Sequence, residues 1–254
     1  MTKAPRPWIV MPHGPLRRVD DNLWTVDSVV PGIPGSTFPR TMTVVRLSDG
    51  SLLLHNAVPV DEPTLARIGA LGPISILLLP SAFHCLDAHA MAARTKARVI
   101  CPAASRAAVE KVVKVDGDFA MLPDDPTVRM EPLEGASNGE GVLVVQTGPR
   151  VTYVVGDSIL AVPHLPGFWG LLWRLLKFTG EPAPGPVWLK RAVADGTELR
   201  RHFERLAARP GLVRIIPSHG PVLEADPAGV LTRSAQRMGS SRDPSRGGAP
   251  PQAR

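Results

Sequence analysis

The segment 77-LLLPSAFHCLDAHAMAARTKARVICP-102 carries three events in a row. The leucine run ending at a proline reads as a buried strand. Past Pro80 the turn crowds His84, Cys85, Asp87 and His89 into six positions. The stretch after them continues as a helix, and ARVIC from residue 97 is a further strand. A strand, a polar turn, a covering helix and a second strand make one α/β unit. Loops at the ends of rigid strands are where chemistry is usually mounted. The turn is therefore either a metal site, what is left of one, or an ordinary corner.

Similar short runs rich in Val, Ile and Leu lie on both sides: LWTV from 23, MTVVRL from 42, SLLLH from 51, VLVVQT from 142, VTYVV from 151 and VRIIP from 213. Asp49-Gly50 between two of them predicts a hairpin with a type I′ turn, and Gly148-Pro149 predicts a second hairpin. DEPTLARIGALG predicts a helix capped by Asp61, with Pro63 in its first turn. ASRAAVEKVVKV predicts another, and TELRRHFERLAARPG a third with Leu199, Phe203 and Leu206 on one face. Hairpins first and alternating strands and helices later imply mixed sheets covered by helices.

Three strand ends carry chemistry-bearing residues: His84 after SILLLP, Asp157 in VVGDSIL, and His219 in IIPSHGP. Each alone fits a loop residue or turn former. In this order they resemble the metallo-β-lactamase fold superfamily. That resemblance implies a four-layer αββα sandwich with a metal site at the sheet edges. The GDSIL and SHGP elements match the superfamily's aspartate and late histidine, and the likeness spans roughly residues 20 to 225.

The first motif departs from the His-x-His-x-Asp-His run of that family. With His84 in the second histidine place, Ala82, Leu86 and Asp87 occupy the other positions; with Asp87 in the aspartate place, Phe83, Cys85 and Ala88 do. Ala136 stands after Gly135 where the family has its middle histidine, and His55-Asn56 stand where an aspartate is common. The segment from Gly50 to Pro102 is similar to a subfamily of unknown function with a degenerate metal signature. Too few ligands remain for two metals. His84, Asp157 and His219 suit one zinc, or iron or manganese, with an open coordination position. Asp87 is the candidate base or fourth ligand. A hydrogen-bonded polar cluster without metal is the alternative, in which case the fold serves to bind a small-molecule ligand or a partner.

LPGFWGLLWRLLKFTG, residues 165 to 180, is the most hydrophobic helical stretch, with Trp169, Leu172, Trp173 and Leu176 on one face. It predicts a helix buried between sheet and loop. Two functional readings stand beside that: a cap on the site, with His164, Trp169 and Trp173 as pocket residues, or an anchor on a membrane surface. It is too short to span a bilayer.

The domain is expected over residues 20–230, with an aromatic insert at 165–186, an extension at 1–19 and a disordered basic tail at 231–254. That tail holds five arginines against Asp243, so it carries +4 of the net +6, and no nucleic-acid module accompanies it. Nucleic-acid binding is not expected. Two cysteines, Cys85 and Cys101, and no apolar run fit for a signal peptide point to a reducing cytoplasm.

Overall fold

The run Leu52–His55 is buried along its whole length because both of its faces are covered. Leu52 and Leu54 pack toward helices, while Leu53 packs toward a second sheet. This run is β4 of the computed structural model, which describes residues 6–31 and 36–238.

The first sheet follows chain order: β1 (Arg17–Asp20), β2 (Leu23–Val29), β3 (Pro39–Arg46), β4, β5 (Ile74–Leu78) and β6 (Arg98–Ile100). Pairing is antiparallel through β4 and parallel from β4 to β6. The change comes where helices α1 (Glu62–Gly69) and α2 (Ala88–Thr95) carry the chain back across the sheet. The second sheet runs in the order β10 (Leu212–Pro217), β9 (Arg150–Val155), β8 (Gly141–Thr147), β7 (Val128–Pro132). Between β9 and β10 lie α4 (Gly167–Leu175), α5 (Pro186–Arg191) and α6 (Gly196–Ala207), and the short α3 (Arg106–Val109) follows β6.

Leu23, Val45, Leu53, Leu78, Leu143 and Val154 fill the space between the sheets. On the outer face of the first sheet Ile68, Met91 and Val109 bring in α1, α2 and α3. On that of the second, Trp188, Phe203 and Leu231 bring in α5, α6 and α7 (Pro227–Met238). This is the four-layer αββα sandwich expected from the motifs.

Several local expectations change. Gly50 alone takes positive φ (84°), its N–H reaches Leu47 O (3.0 Å), and Leu47 N–H reaches Ser51 O (2.8 Å). The hairpin therefore closes on a type I turn with a bulged glycine rather than a type I′ turn. The segment after β6 forms only the single turn of α3. The fold also begins before residue 20: β1 pairs with β2, and Trp8 packs on the core with the Arg94 guanidinium 4.6 Å above its ring. Residues 231–238 are not tail, because Leu231, Ala235 and Met238 are buried in α7; residues 239–254 lie outside the described residues. The aromatic helix α4 is not buried either. Gly170 is its one buried residue, while Phe168, Leu171 and Leu175 face solvent. No helix among the described residues is long and apolar enough to cross a membrane.

Candidate metal centre

The turns after β5, β9 and β10 bring His84, Asp157 and His219 together, with one ligand atom from each lying within 4.8 Å of the others. His84 closes a 3₁₀ turn, Ala82–His84, whose first N–H groups are met by Ser81 Oγ accepting from Phe83 N (3.3 Å). Asp157 follows Gly156, where any side chain would meet the Glu140 carboxyl at 2.9 Å. His219 precedes Gly220, whose φ of 111° and approach to Ala161 O leave no room for a Cβ. Thr41 N–H donates to Ser218 O (2.9 Å) and its Oγ1 to Gly220 O (2.9 Å), tying the His219 loop to the first sheet.

The hydrogen bonds fix the imidazole tautomers. The Asn56 amide donates through Nδ2 to Thr41 O (3.0 Å) and Ser218 O (3.3 Å), so its Oδ1 is an acceptor. That oxygen takes Arg40 Nε–H (3.1 Å) and His84 Nδ1–H (2.9 Å). His219 Nδ1–H donates to Pro39 O (2.8 Å). Each ring thus turns Nε2 toward the Asp157 carboxylate, at 3.3 Å from His84 and 3.4 Å from His219. His84 Nε2 is buried and makes no hydrogen bond. Burial pushes His219 down to about 4, which leaves it neutral near pH 7. Burial opposes ionisation of Asp157 as well, but attraction to positive charge on His84 and His219 and a hydrogen bond from His84 outweigh it and hold the carboxyl at about 2. Two imidazole nitrogens and a carboxylate oxygen therefore converge on one point.

Asp87 lies outside this cluster. Its carboxylate is buried against Arg40 Nη1 (2.5 Å) and Arg6 Nη1 (3.1 Å). Arg40 in turn holds Asn56, and Asn56 holds His84, so Asp87 acts on the centre through two other side chains. Of the remaining first-motif residues, Cys85 donates to Ala82 O (3.0 Å), and burial raises its thiol. His164 is exposed and paired with Thr179 Oγ1 (3.0 Å).

Two residues had no weight in the sequence. Arg40 sits between Pro39 and Thr41 without any motif. Glu140 is fully buried, accepts Ser158 N–H at Oε1 (3.0 Å) and so braces the turn that carries Asp157; burial pushes it up to about 7. Only the crowded glycines of the GASNGEG loop hint at it.

Beside Asp157 and His219 opens a cleft of about 290 Å³, walled by Phe38, Phe83, Leu160, Phe178, Val187 and Trp188. Trp173 stands behind Phe38, edge-on at 5.1 Å, and Phe38 meets the His219 ring at 5.4 Å. Trp169 stacks on Trp173 at 6.2 Å. Both tryptophans thus back the wall rather than line it, and His164 lies outside.

No protein-family model matches the chain, and no curated protein matches it in sequence. Solved structures do match. A metallo-β-lactamase from Pontibacter korlensis aligns over 87% of this chain and 98% of its own, at 15% identity and a TM-score of 0.56. Metallo-β-lactamase FIM-1 from Pseudomonas aeruginosa, in its mono-zinc form, aligns over 94% and 100%, at 14% identity and a TM-score of 0.57. TMB-1 aligns over 89% and 98%, at 12% identity and a TM-score of 0.61. The chain has the metallo-β-lactamase fold.

Proposed function

We propose that this protein is a hydrolase with a single metal ion held by His84, Asp157 and His219, acting on a substrate with an apolar part. The observation that carries this reading is the convergence of two imidazole Nε2 atoms and one carboxylate on a common point, with His84 Nε2 buried and facing the Asp157 carboxylate at 3.3 Å. Burial disfavours a proton on His219, and a metal cation there would be held by both imidazoles and balance the Asp157 charge. Two nitrogens and one oxygen suit zinc, and also iron or manganese. FIM-1 in its mono-zinc form is an instance of the fold with one metal. Ala82 and Ala136, at family ligand places, supply nothing for a second.

A metal there would supply Lewis acidity and the activation of water. The chain's own part is preorganisation. Asn56 and Pro39 O keep the ring protons on the Nδ1 atoms, Glu140 fixes the Asp157 turn, and the aromatic wall takes the apolar part of the substrate and excludes water.

Metal content by mass spectrometry on tag-free protein tests the centre. About one equivalent of metal is expected, with loss of binding in His219→Ala. No metal after reconstitution, or unchanged stoichiometry in that variant, would refute the ligand set. Loaded protein is then screened on esters, thioesters, lactones, β-lactams and phosphoesters. A second reading, a non-catalytic binder of small molecules, draws on the commitment of Asp87 to Arg40, which removes the candidate base. A metal-loaded protein that hydrolyses none of these esters or amides but binds them in the cleft would favour it.

A further inference from the structure

Helix α4 presents its apolar side outward. Phe168 is 74% exposed, Leu171 58% and Leu175 69%, at spacings of three and four that place them on one face. Its inner side is used: Trp173 and Phe178 pack on Phe38 behind the site cleft. Helix α4 therefore has one face in the protein and one apolar face in water.

The charges nearby are mostly positive. Between residues 158 and 194, Arg174, Lys177, Lys190 and Arg191 stand against Glu181 alone. Arg174, Lys177 and Arg237 line a cleft of about 300 Å³ with Glu181, and this cleft shares Leu160 and Phe178 with the one beside the metal centre. An apolar face flanked by cations complements an anionic bilayer, whose acyl boundary takes the former and whose phosphates take the latter. A second protein copy fits less well. A nine-residue helix with three such side chains offers a few hundred Å² at most, against about 800 Å² per partner in a stable interface.

We propose that α4 docks on an anionic lipid surface, with Phe168, Leu171 and Leu175 in the headgroup boundary and Arg174 and Lys177 on its phosphates. The docking stands on this surface alone. Only its consequence, that an amphiphile reaches the neighbouring apolar cleft, rests on the hydrolase reading.

The test is vesicle flotation of the full chain, metal-loaded and metal-stripped, so that failure of the metal centre leaves it readable. Vesicles are phosphatidylcholine alone or with about one third phosphatidylglycerol. Flotation is expected only with the anionic vesicles and in both metal states. Arg174→Gln with Lys177→Gln should weaken it about five-fold per charge, or about twenty-five-fold for the pair. Phe168→Ser with Leu171→Ser and Leu175→Ser, at sites too exposed to unsettle the core, should weaken it about a hundredfold or more. Wild type that stays off anionic vesicles, or a triple serine variant that floats as well as wild type, would overturn the proposal. So would a wild-type dimer on size exclusion that the triple variant splits while neither floats, since that assigns the face to a second copy.

Discussion

Replacing Asp87 by Asn tests whether this residue holds the centre in place or belongs to it. Arg40 is buried, with a side chain 5% exposed, and its guanidinium has three partners: Asp87 (2.5 Å), Asn56 Oδ1 (3.1 Å) and Ala57 O (2.9 Å). Only Asp87 carries a charge. Burial lowers the Arg40 pKa, Asp87 opposes that, and the neighbouring Arg6 adds to the lowering. Breaking a buried pair on one side costs about 3–5 kcal/mol. Asparagine keeps the shape and one acceptor, so the low end applies, about 3 kcal/mol, or a Tm lower by roughly 6–12 °C for a chain of this size. Metal affinity should fall about 10–100-fold, because Arg40 no longer steadies the Asn56 oxygen that orients His84, while stoichiometry stays at one. Thermal unfolding of stripped protein and a chelator competition titration read the two effects separately. A variant with unchanged Tm and no metal would make Asp87 a ligand. A variant unchanged in both would refute the chain of contacts. Replacing Arg40 by Met together with Asp87 by Leu removes both charges, and should return most of the stability without the metal affinity.

A different carboxylate governs acid stability. Asp20 lies between Arg150 and Arg214, whose hydrogen bonds outweigh burial and hold its carboxyl far below the usual range. A depressed carboxyl stabilises the fold above its ordinary pKa near 4 and loses that contribution as pH falls below it. Asp20→Asn should therefore cost about 2 kcal/mol at pH 7 and flatten the decline in stability below pH 4, read from urea midpoints across pH. Gly220→Ala should cost about 2–3 kcal/mol in the same assay, since its φ is 111° and a Cβ would stand 2.1 Å from Ala161 O. A midpoint within error of wild type would show that the loop relaxes freely.

The sandwich was legible because strands covered on both faces leave continuous apolar runs, as in Leu52–Leu54, and because GDSIL and SHGP place Asp157 and His219 beside a glycine at a strand end. What lay between them was not legible. The partner of Asp87 is 47 residues away, on β3, in a contact that no local spacing encodes. An isolated Asp near a histidine looks the same in sequence whether it meets a metal or an arginine. Helix α4 failed for another reason: its apolar residues run almost all round, so the pattern identifies a helix but not which side faces protein. The Asp49-Gly50 dipeptide likewise announces a hairpin but leaves loop length, and with it turn type, to the strands.

The candidate centre draws its side chains from both sheets, and this explains why so much of its surroundings is hydrogen bonding between them. His84 hangs from the first sheet; Asp157 and His219 hang from the second. Their mutual distance is therefore set by how the sheets are aligned, and apolar packing between Leu53, Leu143 and their neighbours is too non-directional to fix it to a few tenths of an ångström. Directional bonds do. Asn56, at φ 54° just past β4, reaches Thr41 O on its own sheet, Ser218 O on the other and His84 Nδ1 at once. One amide thus sets the sheet alignment and the histidine tautomer together. An aspartate there could accept from His84 but could not donate to the two carbonyls. In this chain the choice of Asn ties the geometry of the His84, Asp157 and His219 cluster to the closure of the sandwich that carries it.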